Sequence, residues 1–521
     1  MTRSTRSSVN VLLLLLAGCG RSEDAAPAPA GEPQKLLAEA GFPGGRGFPK
    51  LTLLYNRADV HQRIAAAVQE MWRTRLGIQV ELQNAEWKVF LGRVHDGDFD
   101  VARGAWIGEY ADPHAFLDLF RRESPTNPTG WGSEEYERQL EASNAATERE
   151  TRRAALDAAE GILLRDTPVA PVYHYVAHNY IKTFVRGVHH NARDMHPLQH
   201  VWLEGEGAPK DGVLIFNASE EPLSLDPALS RDIGGLKTLM HLFEGLANYD
   251  PKDASPVPAA AERWDASPDG KTYTFRLRPS TWSNGEPVTA GDFVYAWRRV
   301  VTPETASTYA NRMFVVKNAR RVARGEAKPD DLGVRATDQR TLVVDLEYVA
   351  PYFPELTCLN LFYPVHRATV EKHGRDWTRV ENLVHNGPYR LVSWTMNDRK
   401  VFEKNPRYRA ASEVKLPKFI FLSVPDDATA FRMFQGGQCH WLFRAPLEFM
   451  SEMKGRPDYM SGPYNGVYYY AFNTRRKPLD DARVRRALSL AIDRDVIARS
   501  ILRGGETPAD RLVPPPSRVT K

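Results

Sequence analysis

Cysteine is scarce, with three in 521 residues: Cys19, Cys358 and Cys439. No two of them form a C-x-x-C pair. Cys358 and Cys439 leave two readings open, one disulfide or two buried free thiols. Beyond the N-terminus, no segment is long and apolar enough to cross a membrane as a helix. No sign of charge dominates: 69 Lys and Arg stand against 65 Asp and Glu, a net charge of +4. That balance argues against a dedicated nucleic-acid surface. The motifs G-x-S-x-G, H-E-x-x-H and G-x-G-x-x-G are absent. "DGKT", Asp269 to Thr272, lacks the leading glycine of a P-loop and falls in an expected hairpin. His189, His190, His196 and His200 fit no helical metal site and read as structural or surface groups. No nucleophile–base set can be composed, so neither an enzyme nor a cofactor is expected.

What is present describes a large globular chain. Hydrophobic residues make up 42% and charged ones 26%, and the length calls for two or more domains. The 11 Trp, 20 Tyr and 22 Phe suffice for a core and for the walls of a cleft. Arg3 and Arg6 precede the apolar run Val9 to Ala17, which ends in "LAGC", Leu16 to Cys19. This has the form of a signal peptide closing in a lipobox. Residues 1–19 are therefore expected to be the signal peptide, with Cys19 lipidated, and 20–35 a flexible Ala/Pro tether. The body would stand in the periplasm or at the cell surface, anchored to a bacterial membrane.

From Lys35 to Tyr175 strands and helices alternate, as in α/β architecture. "KLTLLY", "IQVELQ", "FDVARGAW" and "APVYHYV" read as strands. Helices are expected at "KLLAEAG", at "DVHQRIAAAVQEMWRTRLG" with Asp59 as cap and Gly77 as stop, and at "EWKVFLGRV". Two more are expected at roughly 133–143 and 148–165. "EGEGAPKDG", Glu204 to Gly212, is a polar linker. Beyond it "YTFRLR" and "TLVVDLEY" alternate as strands and "AGDFVYAWRRVV" as a helix. "DDARVRRALSLAIDRDVIARSILRGG" reads as a long helix or a helix pair, with Asp480 and Asp481 as capping residues.

One apolar stretch is interrupted by charge. Phe99 to Phe120, "FDVARGAWIGEYADPHAFLDLF", carries Arg103, Glu109 and Asp112 among aromatic residues. Two readings compete: ion pairs among these charges, or a pocket for a ligand that carries both signs.

Several long segments resemble the peptide-binding group of ABC-importer solute-binding proteins, family 5. They include "AERWDASPDGKTYTFRLRPSTWSNGEPVTAGDFVYAWRRV", "SLDPALS", "LFEGL", "NGPYRL" and "YYYAFNT". "DDARVRRALSLAIDRD", "LLAEAGFPGG", "LGIQVELQNAEWKVFL" and "VARGAWIGEYADP" join them. In that family the portion resembling Val213 to Pro516 comes first and the portion resembling Lys35 to Trp202 second. Here the order is swapped, as in a circular permutation, with "EGEGAPKDG" joining the family's two chain ends.

The resemblance implies an α/β, three-lobed periplasmic-binding-protein-like fold of class II type. One facing lobe combines 36–176 with 471–521. The second combines 177–243 with 367–470, and 244–366 forms the smaller third lobe. Hinge crossings would lie near Val176 and Tyr470. It also implies a monomeric lipoprotein that delivers peptides to ABC permease membrane subunits, with no nucleic-acid partner. Alternatives are a binder of murein peptide, nickel chelate, haem or an opine, or a nonfunctional product of a rearranged gene.

By the same resemblance Glu109 grips the ligand's amino terminus. Arg103 and His61 are cationic positions for its carboxylate. The backbone of Ala105 and Ile107 pairs with the peptide as an added strand. Trp87, Trp106, Tyr175, Tyr309 and Tyr464 are aromatic walls, and Ile233 is a backbone contact on the opposite lobe. Asp112 is read as structural. Ile107 and Gly466 match a disulfide found in some relatives, and neither is cysteine here.

Overall fold

Helix Asp59–Leu76 shows how the sequence pattern becomes structure. Ile64, Ala65, Val68, Trp72 and Leu76 fall on one side and are buried, the spacing of an amphipathic helix. Gly77 stops it in the left-handed conformation at φ 71°. The cap differs from expectation: Ala58 holds the N-cap position and Asp59 is the first helical residue. There Asp59 still faces the positive end of the helix dipole. The computed structural model describes residues 31–217, 221–230, 232–444, 446 and 449–518. The signal peptide with Cys19, most of the tether and Lys521 lie outside them.

Eleven strands form the main sheet. In chain order they are β1 (Leu51–Asn56), β2 (Val80–Ala85), β3 (Val101–Ile107), β4 (Val169–Ile181), β5 (Val213–Asn217) and β6 (Tyr389–Thr395). β7 (Arg399–Lys404), β8 (Lys418–Leu422), β9 (Trp441–Leu442), β10 (Tyr459–Phe472) and β11 (Thr507–Pro508) complete it. Their spatial order is β6-β7-β8-β5-β9-β4-β10-β3-β1-β2, and β11 pairs with β4. β1 is parallel to β2 and β3, and β5 is parallel to β8 and β9. The central pairs β4–β10 and β10–β3 are antiparallel.

β4 and β10 are the longest strands, 13 and 14 residues, and both run from one half of the sheet into the other. Their register breaks between the pairs Val176–Pro463 and His174–Val467. One expected crossing, near Val176, sits at this break. Tyr470 does not. It is fully buried and pairs in register with Arg103 and Ala170. A shorter shift also separates Tyr468 from Tyr469.

Remote parts of the chain share one core. Leu51, Leu53 and Trp72 pack with Tyr468, Tyr470, Val484 and Leu488. The indole of Trp72 donates to the carbonyl of Leu488 at 2.8 Å. The expected C-terminal helix is two pieces, helix Ala482–Leu490 and a wider π-turn at Val496–Leu502, with Asp481 capping the first. Around the Glu204 to Gly212 segment the chain stays within one core, since Leu203, Ala208 and Leu214 belong to the same cluster.

A second, antiparallel sheet runs Ala261–Ala266, Thr272–Leu277, Thr341–Asp345, Val334–Asp338. Its first hairpin turn contains "DGKT", where Asp269 accepts from the Lys271 amide and the Ser267 hydroxyl. Helix Ala290–Val301 covers this sheet through Phe293 and Trp297. Cys358 and Cys439 are both free and buried, in separate clusters. Of the two readings of these cysteines, the structure has the free thiols.

Candidate ligand-binding site

β3 has one occupied edge and one that is mostly open. Along its whole length it pairs with β10, from Val101–Phe472 to Ile107–Gly466. Hydrogen bonds just outside both ends set the phase: Asn473 N–H donates to Asp100 at 2.9 Å and Gly108 N–H donates to Asn465 at 2.8 Å. Antiparallel ladders alternate with a period of two. The N–H and C=O of residues 102, 104 and 106 therefore turn toward β10. Those of Arg103, Ala105 and Ile107 turn the other way. On that other side β1 reaches only Val101 and Ala102. Among the described residues no strand continues the pairing along 103–107, so Ala105 and Ile107 present backbone groups as an edge ready for strand addition.

Two charged clusters flank this edge. At the far end, just past β3, the carboxylate of Glu109 lies 2.7 Å from the Nη2 of Arg312, with both side chains largely buried. The Tyr309 hydroxyl donates to the same carboxylate oxygen at 3.1 Å. The Arg312 guanidinium lies 5.0 Å from the Trp106 ring and 5.3 Å from the Tyr309 ring, a cation–π arrangement on both. At the near end Arg103 donates to Tyr175 at 3.2 Å and to Asn56 at 3.4 Å, and lies 5.0 Å from the Tyr468 ring. Its Nε is buried with no hydrogen-bond partner among the described residues.

Arg103, Glu109 and Asp112 therefore do not pair with one another. Asp112, read as structural, is gripped by both terminal nitrogens of Arg152 at 2.6 and 2.9 Å. Glu109 meets Arg312, a residue 203 positions away in the chain that the sequence reading did not include. The available signal was "YANRMF", an arginine three residues after Tyr309 in an otherwise apolar and aromatic setting.

His61 departs from expectation. It is 9% exposed on helix Asp59–Leu76. Burial, reinforced by the Arg103 cation, lowers its pKa to about 3. The ring is therefore neutral at ordinary pH, and of the two positions expected to be cationic only Arg103 carries charge. In the unfolded chain the ring titrates near 6.5. Between these values the unfolded state binds more protons, so stability is full above pH 6.5 and falls as pH drops toward 3. Replacing His61 by Phe should flatten that fall by about 1.4 kcal/mol per pH unit near pH 5. Urea melts of both proteins at pH 7 and pH 5 measure it, and identical slopes would show that His61 is not held neutral.

The remaining expected positions are spread around these clusters. Tyr464 stands in the register break of β10 and is half-buried, with its hydroxyl pushed up by burial and by the neighbouring Asp194 charge. Trp87 opens helix Trp87–His95, 49% exposed, and stacks on Phe90. Ile233 opens helix Ile233–Leu242 and is 47% exposed, while Asp232 caps that helix through the Gly235 amide. The structure brings Glu109, Tyr309 and Trp106 into one cluster, and Arg103, Tyr175 and His61 into another.

The profile of bacterial extracellular solute-binding proteins, family 5 (middle), matches residues 22–128 and 255–520. The oligopeptide-binding protein OppA of Bacillus subtilis is 35% identical over 308 residues, 58% of this chain and 56% of the relative. The solved murein tripeptide binding protein MppA of Escherichia coli superimposes with a TM-score of 0.53 at 37% identity, covering 58% of this chain and 60% of that one. A periplasmic oligopeptide-binding protein, OppAIV, of Borrelia burgdorferi gives 0.52 at 35% identity, covering 56% and 59%. The chain thus matches only a little over half the length of these relatives. The mixed α/β layers and these likenesses give the periplasmic-binding-protein type of fold expected from the sequence. With most of its length matched by the profile, the chain belongs to the bacterial extracellular solute-binding proteins of family 5.

Proposed function

We propose that this protein is the substrate-binding lipoprotein of an ABC importer, and that it captures peptides and delivers them to a membrane permease. The observation that carries the reading is the open edge of β3 at Ala105 and Ile107, set between the largely buried carboxylate of Glu109 and the half-buried guanidinium of Arg103. A peptide is a zwitterion with an extended, hydrogen-bonding backbone. It needs an anion for its amine, a cation for its carboxylate and a strand edge between them. Glu109 takes the amine, Arg103 takes the carboxylate, and Trp87, Trp106, Tyr175, Tyr309 and Tyr464 form walls, with Ile233 closing from the opposite lobe. Backbone pairing reads no side chains, which suits a broad set of peptides. The oligopeptide-binding names of the relatives support this class, and a murein peptide, named for the E. coli relative, falls within it. In this reading Cys19 holds the lipid anchor, and the family's two portions stand in permuted order.

Mass spectrometry of ligand co-purified with the folded protein tests the class directly; peptides are expected, and a haem, nickel chelate or opine would replace the reading. The lobes should also close on binding, by bending at the β4–β10 register break. Small-angle scattering at saturating peptide should show a smaller radius of gyration than the peptide-free protein. An unchanged radius counts against closure.

A further inference from the structure

Arg312 deepens the peptide-binding reading, and the inference rests on Glu109 being the amine-binding carboxylate. The guanidinium already occupies that carboxylate at 2.7 Å, with only 15% of the Arg312 side chain and 12% of the Glu109 side chain exposed. A ligand ammonium brought to Glu109 would place two cations on one carboxylate. At short range in a poorly solvated site that arrangement is repulsive. Two nearby donors are also unused. The Nε of Arg312 and the Nε1 of Trp106 are buried with no hydrogen-bond partner among the described residues. Both are N–H groups, so what they lack is an acceptor. The Trp106 ring lies 5.0 Å from the Arg312 guanidinium, so the two groups that carry the unused donors are neighbours.

A second carboxylate at this end of the ligand would answer both deficits. It would balance the second cation and supply acceptor oxygens to the idle donors. We propose that Arg312 makes the site select peptides whose first residue is Asp or Glu. The ammonium of that residue binds Glu109. Its side-chain carboxylate accepts from Arg312, with the Trp106 indole as the neighbouring group. No bond is made or broken, and the selection is one of charge and hydrogen bonding alone.

Calorimetry on the native protein with Asp-Ala-Ala-Ala, Asn-Ala-Ala-Ala and Ala-Asp-Ala-Ala tests this without any variant. The Asp-first peptide should bind about tenfold or more tighter than its Asn-first isostere and than the Asp-second isomer. Arg312→Met should bring all three together, chiefly by weakening the Asp-first peptide, and Arg312→Lys should keep part of the preference. Equal binding of the three by the native protein overturns the inference and leaves the peptide-binding reading standing. A preference that survives Arg312→Met, in a variant whose melting confirms it is folded, also overturns it. If none of the three peptides binds, the reading of Glu109 falls and the inference falls with it.

Discussion

Replacing Glu109 by Gln should weaken binding of a free-amine peptide by about 2–5 kcal/mol. The shape of the side chain is kept and its charge is lost. More is removed than one charge-assisted hydrogen bond to the ligand. The carboxylate also neutralises Arg312 at 2.7 Å, so the variant leaves that guanidinium facing the incoming ammonium without an anion between them. N-acetylated peptides have no ammonium to strand. They should bind the native protein weakly and lose much less on the substitution. The four combinations of protein and peptide form a double-mutant cycle, and calorimetry measures its coupling energy. If free and acetylated peptides lose equally, Glu109 does not meet the amine and serves only to hold Arg312.

Asp112→Ala should destabilise the fold by about 3–5 kcal/mol. Asp112 and Arg152 are 3% and 5% exposed, and their bidentate contact satisfies both charges. Asp112 also accepts from the His114 amide at the head of the short helix His114–Leu117. Truncation leaves Arg152 charged and uncompensated in the interior, over the ring of Tyr352. Removing both charges together, Asp112→Leu with Arg152→Met, should recover most of the loss, since no buried charge is then unpaired. Guanidinium unfolding of the three proteins decides it. A single variant that loses less than about 1 kcal/mol would mean the pair behaves as a surface salt bridge.

Local patterns carried much of this structure in readable form. β1, β2 and β3 and the helix Asp59–Leu76 stand within a few residues of where alternation and helical spacing placed them. Those signals are written in neighbouring residues, and neighbours determine periodicity. What was not legible depends on distance in the chain. The strand signal of β4 covers seven residues, "APVYHYV", whereas the strand runs for 13, because its continuation is stabilised by β9 and β10 rather than by its own alternation. His61 resembles a cation in sequence, yet its charge is decided by burial and by Arg103. Arg312 was missed because its partner is set only when the turn Ala310–Met313 folds against the end of β3. Asp112 was legible as structural, but its partner Arg152 was not, since a helix of 18 residues had first to be laid across it.

The register break between β4 and β10 has a mechanical meaning. On either side the sheet is broad, with β3, β1 and β2 joined to β10 and β9, β5 and β8 joined to β4. At Tyr175 and Tyr464 it narrows to these two strands, and their ladder is interrupted. A two-stranded ribbon takes up far more twist than a wide sheet, and few backbone bonds oppose rotation at an interrupted rung. In the closure proposed above, this ribbon would act as a torsion bar between the two broad parts of the sheet. Twist taken up there would leave the geometry at Ala105 and Ile107 unchanged while the opposite wall moved.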